Sequence, residues 1–279
     1  MQLNFTKELT SFRQIDLRHQ CVPIEEAAHR NPKLRSLLKA GKIDLGNSKA
    51  LSEYNKTVLE LKFGLEVQLP PGHLIPAGCL RSAFIQEVVS PKQSVLEIGT
   101  GSSAILAMIM ATMGCKVVAT EANEDNIRFA KRNIKKNNLE GLVELRECAP
   151  DEIVTDVVKE NEKFSRIITY PPQYSKDRRI RFHGVERGFG GDRLELIGGQ
   201  KGYEFSVRMI NEVAKNPVLD DNGTIGVMLL NIELAERVTA ALRETGWNYE
   251  IVEVIAGTRK RYIVKAGQSS KLSELTPGY

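Results

Sequence analysis

The chain has 279 residues, 42% of them hydrophobic, with 39 Lys and Arg against 35 Asp and Glu for a net charge of +4. That length suits one large or two small domains with a substantial core, and so mild a charge does not by itself imply a nucleic-acid partner. No run of about 18 apolar residues marks a membrane span, and the opening Met1-Gln2-Leu3-Asn4-Phe5 lacks the basic head and apolar stretch of a signal peptide. Cys21, Cys79, Cys115 and Cys148 are widely separated with no Cys-x-x-Cys pair, and His19, His29, His73 and His183 show no ligand spacing. The cysteines read as buried reduced thiols of a cytoplasmic protein, neither disulfides nor zinc ligands, and no metal is expected.

Residues 1–80 read as an accessory, mainly helical, substrate-binding unit. Helical patterning over 24–39 and 48–63 is punctuated by Asn31-Pro32, Gly41 and Gly46, and Pro70-Pro71-Gly72 makes an irregular break. Residues 1–90 hold 12 Lys and Arg against 9 Asp and Glu, most of the excess charge. Leu74-Ile75-Pro76-Ala77-Gly78-Cys79-Leu80-Arg81 then leads into a helix over 82–89.

From residue 94 strands and helices alternate. Strands are expected at 94–98, 116–120, 142–147, 165–170 and 223–230, and helices at 103–113, 124–137, 151–160, 200–215 and 232–245. Repeating strand–helix units predict a parallel sheet covered on both faces. The end differs: two β-rich runs, 249–255 and 260–265, flank Ala256-Gly257-Thr258-Arg259 and read as a hairpin. The expectation is an α/β, Rossmann-like sheet of seven mostly parallel strands closing in a hairpin, the order of class I methyltransferases, over 81–267. Residues 268–279 read as a flexible tail.

The first strand runs into Gly99-Thr100-Gly101-Ser102-Ser103, and the second ends on Glu121. Gly99 and Gly101 let the backbone turn tightly against a ligand, and an acid at the tip of the second strand can accept hydrogen bonds from a ribose diol. Glu97, two residues before the first glycine, favours S-adenosylmethionine over a dinucleotide. It can face the cofactor's ammonium, whereas a carboxylate facing a pyrophosphate is repelled. With the Pro-Pro turn below and the final hairpin, it counts against a nicotinamide dehydrogenase. The fourth strand ends in Tyr170-Pro171-Pro172-Gln173-Tyr174, where ligands bind in parallel sheets. There the rigid backbone presents carbonyls to a substrate NH2, and the aromatic rings can stack on a base.

Several stretches together resemble one family. They are Phe63-Gly64-Leu65, Leu74-Ile75-Pro76 with Leu80-Arg81, Ile98 to Ser103, Ala119-Thr120-Glu121, Ala130-Lys131 with Asn137-Asn138-Leu139, Gly198-Gly199 with Glu204-Phe205, and Gly257-Thr258-Arg259. From about Leu45 to Ala266 the chain resembles the RNA adenine-N6 methyltransferases, the family of bacterial 23S rRNA adenine methyltransferase F and the eukaryotic spliceosomal small nuclear RNA enzyme. The resemblance implies S-adenosylmethionine contacts at Arg81, Gly99, Ser103 and Glu121, joined in our reading by Glu97, Thr100 and Gly101. Arg81 suits the cofactor's carboxylate as a fork-shaped donor.

One departure stands out. The family carries Asn-Pro-Pro-Phe at the catalytic turn, and this chain carries Tyr170-Pro171-Pro172-Gln173. Either Tyr170 stacks on a flipped base and Gln173 supplies the amide, or the acceptor differs. Beyond the turn, Lys176, Arg178, Arg179, Arg181, Arg187 and Arg193 outnumber Asp177, Glu186 and Asp192 in a glycine-rich stretch suited to phosphate contact. We assign substrate contact to Lys176, Arg178, Arg179 and Arg181. The expected activity is methylation of an adenine N6 in RNA. The alternatives are another acceptor (a protein glutamine, a different base or a small molecule) and an RNA-binding homologue without catalysis.

Overall fold

The apolar strands from residue 94 onward are buried between two layers of helices, and this burial sets the architecture. A computed structural model describes residues 11–17, 21–44, 47–71, 73, 75–177, 193–257 and 259–268. In chain order the elements begin with β1 (Ser11–Asp16), α1 (Ile24–Arg30), α2 (Pro32–Leu37), α3 (Ser48–Phe63) and α4 (Gly78–Val88). Next come β2 (Ser94–Ile98), α5 (Ile105–Thr112), β3 (Lys116–Glu121), α6 (Glu124–Lys136), β4 (Val143–Glu147) and β5 (Phe164–Thr169). The chain continues through β6 (Tyr174–Ser175), α7 (Arg193–Leu196), β7 (Ile197–Gly199), α8 (Glu204–Lys215) and β8 (Leu219–Leu229). It closes with α9 (Ile232–Glu244), β9 (Asn248–Ala256) and β10 (Arg259–Gly267).

The main sheet has the order β1-β9-β10-β8-β5-β2-β3-β4, and β10 alone of its strands pairs antiparallel to its neighbours. One face packs on α4, α5 and α6 through Phe84, Ile109 and Ile134, and the other on α8 and α9 through Met209, Ile210 and Val238. The chain leaves β2 toward β3 on one side and returns through β5 on the other. The crevice at such a reversal, beyond the carboxyl ends of the strands, is where open α/β sheets bind ligands.

The seven expected strands and the final hairpin are present, whereas the eighth strand of the main sheet and the small β6–β7 sheet were not foreseen. β1 pairs parallel with β9 from Ser11↔Glu250 to Asp16↔Ile255. Arg13 on β1 forms ion pairs with Glu87 of α4 and with Glu250, and buried Lys265 lies 3.1 Å from Glu250. The N-terminal strand therefore braces the helix that carries Arg81. A smaller apolar cluster, Val22, Ala27, Leu34, Val58 and Cys79, joins α1, α2 and α3 to the first turn of α4.

Two expectations fail. Residues 151–160 form turns rather than a helix. Ile153, Val154 and Val157 are buried at helical spacing, but this β-branched run has poor helix propensity, and the Val154 N–H donates to Glu212 at 3.0 Å. Cys21 and Cys79 are not separate thiols but a disulfide, with a Cα–Cα distance of 5.6 Å across a separation of 58 residues. Only the folding of α1 and α3 against α4 brings them together, which spacing along the chain does not reveal. With one pair bonded and two thiols free, the cysteines do not indicate a reducing location. Cys115 is a buried free thiol, as read.

Candidate active site

The glycine loop leaves β2 at the centre of the crevice. Gly99 and Gly101 take φ of +73° and +67°, and a Cβ on either meets nothing within 4 Å. The loop therefore lies open toward the cleft, and the left-handed backbone rather than crowding demands glycine. Ala104, fully buried, also has a positive φ of 49°, a strained conformation of the kind that concentrates at functional sites. It is why α5 starts at Ile105 rather than at 103. The Ser103 hydroxyl accepts from the Ile105 N–H at 3.4 Å.

Glu97 lies beneath this loop at 1% exposure. The Thr100 hydroxyl donates to it at 2.9 Å. Burial pushes its pKa up to about 7, with the Thr100 bond opposing and the charge of Glu121 adding to the rise. Thr120, at the end of β3, holds the loop from the other side. It accepts from the Gly99 N–H at its hydroxyl and from the Thr100 N–H at its carbonyl, at 3.3 and 2.8 Å.

Glu121 does more than the sequence suggests. One carboxylate oxygen accepts from the Gly101 N–H at 2.7 Å, and the other from the Ala122 and Asn123 N–H groups at 2.9 Å each. It ties the glycine loop to the start of α6, and burial raises its pKa against those three bonds. A carboxylate offers roughly four acceptor sites, so capacity for a ribose hydroxyl remains. Asn133 of α6 adds a further brace. Its amide donates to Gln68 O at 2.8 Å and Ser102 O at 3.0 Å and accepts from the Gln68 N–H at 2.8 Å, laying the chain after α3 beside the loop.

The Tyr170-Pro171-Pro172-Gln173 turn follows β5, next to β2 in the sheet. Arg81 from α4 places its guanidinium 4.2 Å above the ring centroid of Tyr170, within the range of cation–π attraction. Burial lowers the Arg81 pKa, opposed by Tyr170 and reinforced by nearby Arg261. Arg261, on β10, has a buried Nε with no hydrogen-bond partner among the described residues. Gln173 does not offer its amide to a substrate. Its Nε2 donates to Met228 O at 2.9 Å and its Oε1 accepts from the Leu230 N–H at 2.7 Å, so both ends are held by β8 and the residue after it. The reading in which Gln173 replaces the family's Asn amide is corrected by this geometry.

Glycines behind the turn explain another matching motif. A Cβ at Gly198 would overlap the Pro172 carbonyl, and one at Gly202 the Gln173 carbonyl. Glu204 caps the bend by accepting from the Lys201 and Gly202 N–H groups at 2.9 Å. Tyr174 pairs with Ile197 in the small β6–β7 sheet, and the Lys176 N–H donates to Gly199 O at 3.0 Å.

The crevice thus gathers Glu97, Gly99, Thr100, Gly101, Ser103 and Glu121 at the ends of β2 and β3, beside Tyr170, Pro171 and Pro172, with Arg81 above. Arg178, Arg179 and Arg181 lie outside the described residues. Thr120, Asn133 and Arg261 were missed. Thr120 directly precedes Glu121 and so was legible as a loop partner, whereas Asn133 and Arg261 depend on packing between distant segments. Among the described residues no group of His, Cys, Asp and Glu could hold a metal, and no helix is long and apolar enough to cross a membrane.

A model of the RNA methyltransferase family matches residues 24–188. The chain belongs to this family. A putative methyltransferase of Methanocaldococcus jannaschii is 36% identical over 87% of this chain and 97% of its own. The U6 small nuclear RNA (adenine-(43)-N(6))-methyltransferase of Drosophila pseudoobscura is 35% identical over 37% of this chain and 36% of its own length. The catalytic domain of human METTL16, solved with a MAT2A 3′UTR hairpin, has the same fold with a TM-score of 0.74. It is 21% identical, over 90% of this chain and 92% of that one.

This methyltransferase uses S-adenosylmethionine, and its residues fit that group. The glycine loop opens on the cleft, Glu121 keeps acceptor capacity, and Arg81 has no ion-pairing carboxylate among the described residues.

Proposed function

We propose that this RNA methyltransferase modifies an adenine N6. The observation that carries the reading is the placement of the Tyr170-Pro171-Pro172 turn at the end of β5, directly beside the glycine loop of β2. Bound there, S-adenosylmethionine supplies an already activated methyl group, so the work left to the protein is positioning. Glu97 would face the cofactor's ammonium, Arg81 would hold its carboxylate and Glu121 its ribose. The carbonyls of Tyr170 and Pro171 would accept from the exocyclic NH2 and so orient its nitrogen lone pair, and the surplus proton would leave to solvent. The relatives named for U6 RNA adenine-N6 methylation support this acceptor.

RNA phosphates are met by Lys176, Arg178, Arg179 and Arg181 and by the helices within residues 1–80, which we read as the substrate-binding unit. A second reading keeps the cofactor and changes the acceptor to a protein glutamine or another base. Tyr170 in place of the family's Asn favours it, because with Gln173 held by β8 no side-chain amide of this turn is free to orient N6.

Two binding measurements test the assignments. Glu121→Gln, which keeps two acceptor sites on its amide oxygen, should weaken S-adenosylmethionine binding by about 1–3 kcal/mol in calorimetry; unchanged affinity removes Glu121 from the site. Neutralising Arg178, Arg179 and Arg181 together should weaken RNA binding and reduce its salt slope by up to about 3. An unchanged slope removes these three arginines from the RNA interface.

A further inference from the structure

α7 is only four residues long, yet it touches both halves of the crevice. On the cofactor side, Glu121 accepts from the Asn123 N–H at 2.9 Å, and the Asn123 side chain accepts from the Asn126 N–H at 3.0 Å. The Asn126 side chain, 2% exposed, then donates to the Glu195 carboxylate of α7 at 2.9 Å. On the acceptor side, the next residue, Leu196, accepts at its carbonyl from the Gln173 N–H at 3.1 Å. From there β7 lies against β6, with the Gly198 backbone against the Pro172 carbonyl. An unbroken path of hydrogen bonds and one peptide unit therefore runs from the ribose acid to the turn that holds the acceptor.

Neither Asn126 nor Glu195 belongs to the cofactor or acceptor contacts assigned above. Asn126 buries its amide, and α6 is already capped by the Asn123 side chain. Glu195 presents a half-buried carboxylate beside Glu121, another acid whose pKa it helps to raise. Placing two acids near one another is unfavourable, and the Asn126 bond is one contact that opposes this and holds Glu195 there.

We infer that Glu195 is a positioning residue which, through Asn126, fixes the acceptor turn relative to the cofactor and transmits cofactor binding to it. The inference rests on the cofactor reading but not on the identity of the acceptor. Coupling of this kind is reciprocal in binding. Filling the ribose site should steady α7 and β7, which lie outside the cofactor contacts assigned above, and loosening α7 should misplace the acceptor without emptying the cofactor site.

Hydrogen–deuterium exchange on the full chain, with and without S-adenosylhomocysteine, reads this directly. In the wild type the ligand should slow exchange at 97–104 and also at 196–204. Glu195→Ala should keep the first protection and lose the second. Glu195→Gln, whose amide oxygen accepts the same bond without the charge, should restore it. Single-turnover methyl transfer at saturating cofactor should fall on the order of tenfold in Glu195→Ala and recover in Glu195→Gln. Adding Asn126→Ala to Glu195→Ala should cost little more, since the Asn126–Glu195 bond is already gone.

Protection at 196–204 that survives in Glu195→Ala, or is missing in the wild type while 97–104 is protected, overturns the inference. So do fully additive single substitutions. Absence of protection at both segments overturns the cofactor reading and this one with it. If the acceptor were something other than RNA adenine, the exchange pattern would stand and only the product would differ.

Discussion

The Arg81 guanidinium sits 4.2 Å over the Tyr170 ring, so α4 and the turn after β5 meet in one stacked pair. In the family this turn begins with Asn. Here an aromatic ring occupies that place and one face of it is covered by a cation. The pair links the residue proposed for the cofactor carboxylate to the residue that begins the acceptor turn.

From this pair we predict that Tyr170→Phe keeps most of the activity, since the ring remains as a platform for Arg81. Tyr170→Ala should weaken cofactor binding by about 1–2 kcal/mol through loss of a partly desolvated cation–π contact and slow methyl transfer further. Calorimetry and single-turnover rates on the two variants check this. Tyr170→Phe as impaired as Tyr170→Ala would transfer the role from the ring to the hydroxyl.

Glu97 should make both stability and cofactor affinity depend on pH. Its pKa of about 7 in the fold lies above the ordinary 4.5, so between those values the folded protein retains a proton that the unfolded chain has released. Raising the pH through that window should therefore cost stability, about 3 kcal/mol by pH 8 in the absence of cofactor. Glu97→Gln should remove this slope. An ammonium bound beside Glu97 favours the ionised form, so cofactor affinity should rise from pH 6 to 8 in the wild type more than in the variant. Denaturant unfolding at pH 5.5 and 8 measures the first effect and calorimetry the second; equal slopes in the two proteins would contradict the assignment.

The Cys21–Cys79 link closes a long loop and sits in the first turn of α4, two residues before Arg81. The chain-entropy account gives up to about 4 kcal/mol for a loop of this size. Cys21→Ser, or reductant on the wild type, should lower the denaturant midpoint and leave Cys21→Ser insensitive to reductant. A midpoint indifferent to reductant in the wild type would mean that the bond contributes nothing in solution.

Gly198 should tolerate no side chain. Its Cβ would overlap the Pro172 carbonyl, so Gly198→Ala should push the acceptor turn out of place. Turnover should fall on the order of a hundredfold for a displacement near 1 Å, while cofactor affinity changes little. Wild-type turnover in this variant would show that the turn does not depend on β7.

Much of this was legible in the sequence because it is local. The alternation of strands and helices from Ser94, the positive-φ glycines, Glu121 at the tip of β3 and the two-residue hairpin before Arg259 each follow from neighbours a few residues apart. What was missed depends on partners far along the chain. β1 is a strand because β9 offers it an edge, Cys21 meets Cys79 through the packing of α1 and α3, and Gln173 is held by β8. The run at 151–160 misled because burial of Ile153, Val154 and Val157 imitates a helix that turns can satisfy as well.

The most direct test is the identity of the methylated product. Purified protein with labelled S-adenosylmethionine should be incubated with total RNA and, separately, with total protein from one lysate, followed by digestion and mass analysis. The account predicts label in RNA, recovered as N6-methyladenosine. Label recovered on a protein glutamine, on another nucleoside, or nowhere while S-adenosylmethionine binds would contradict it.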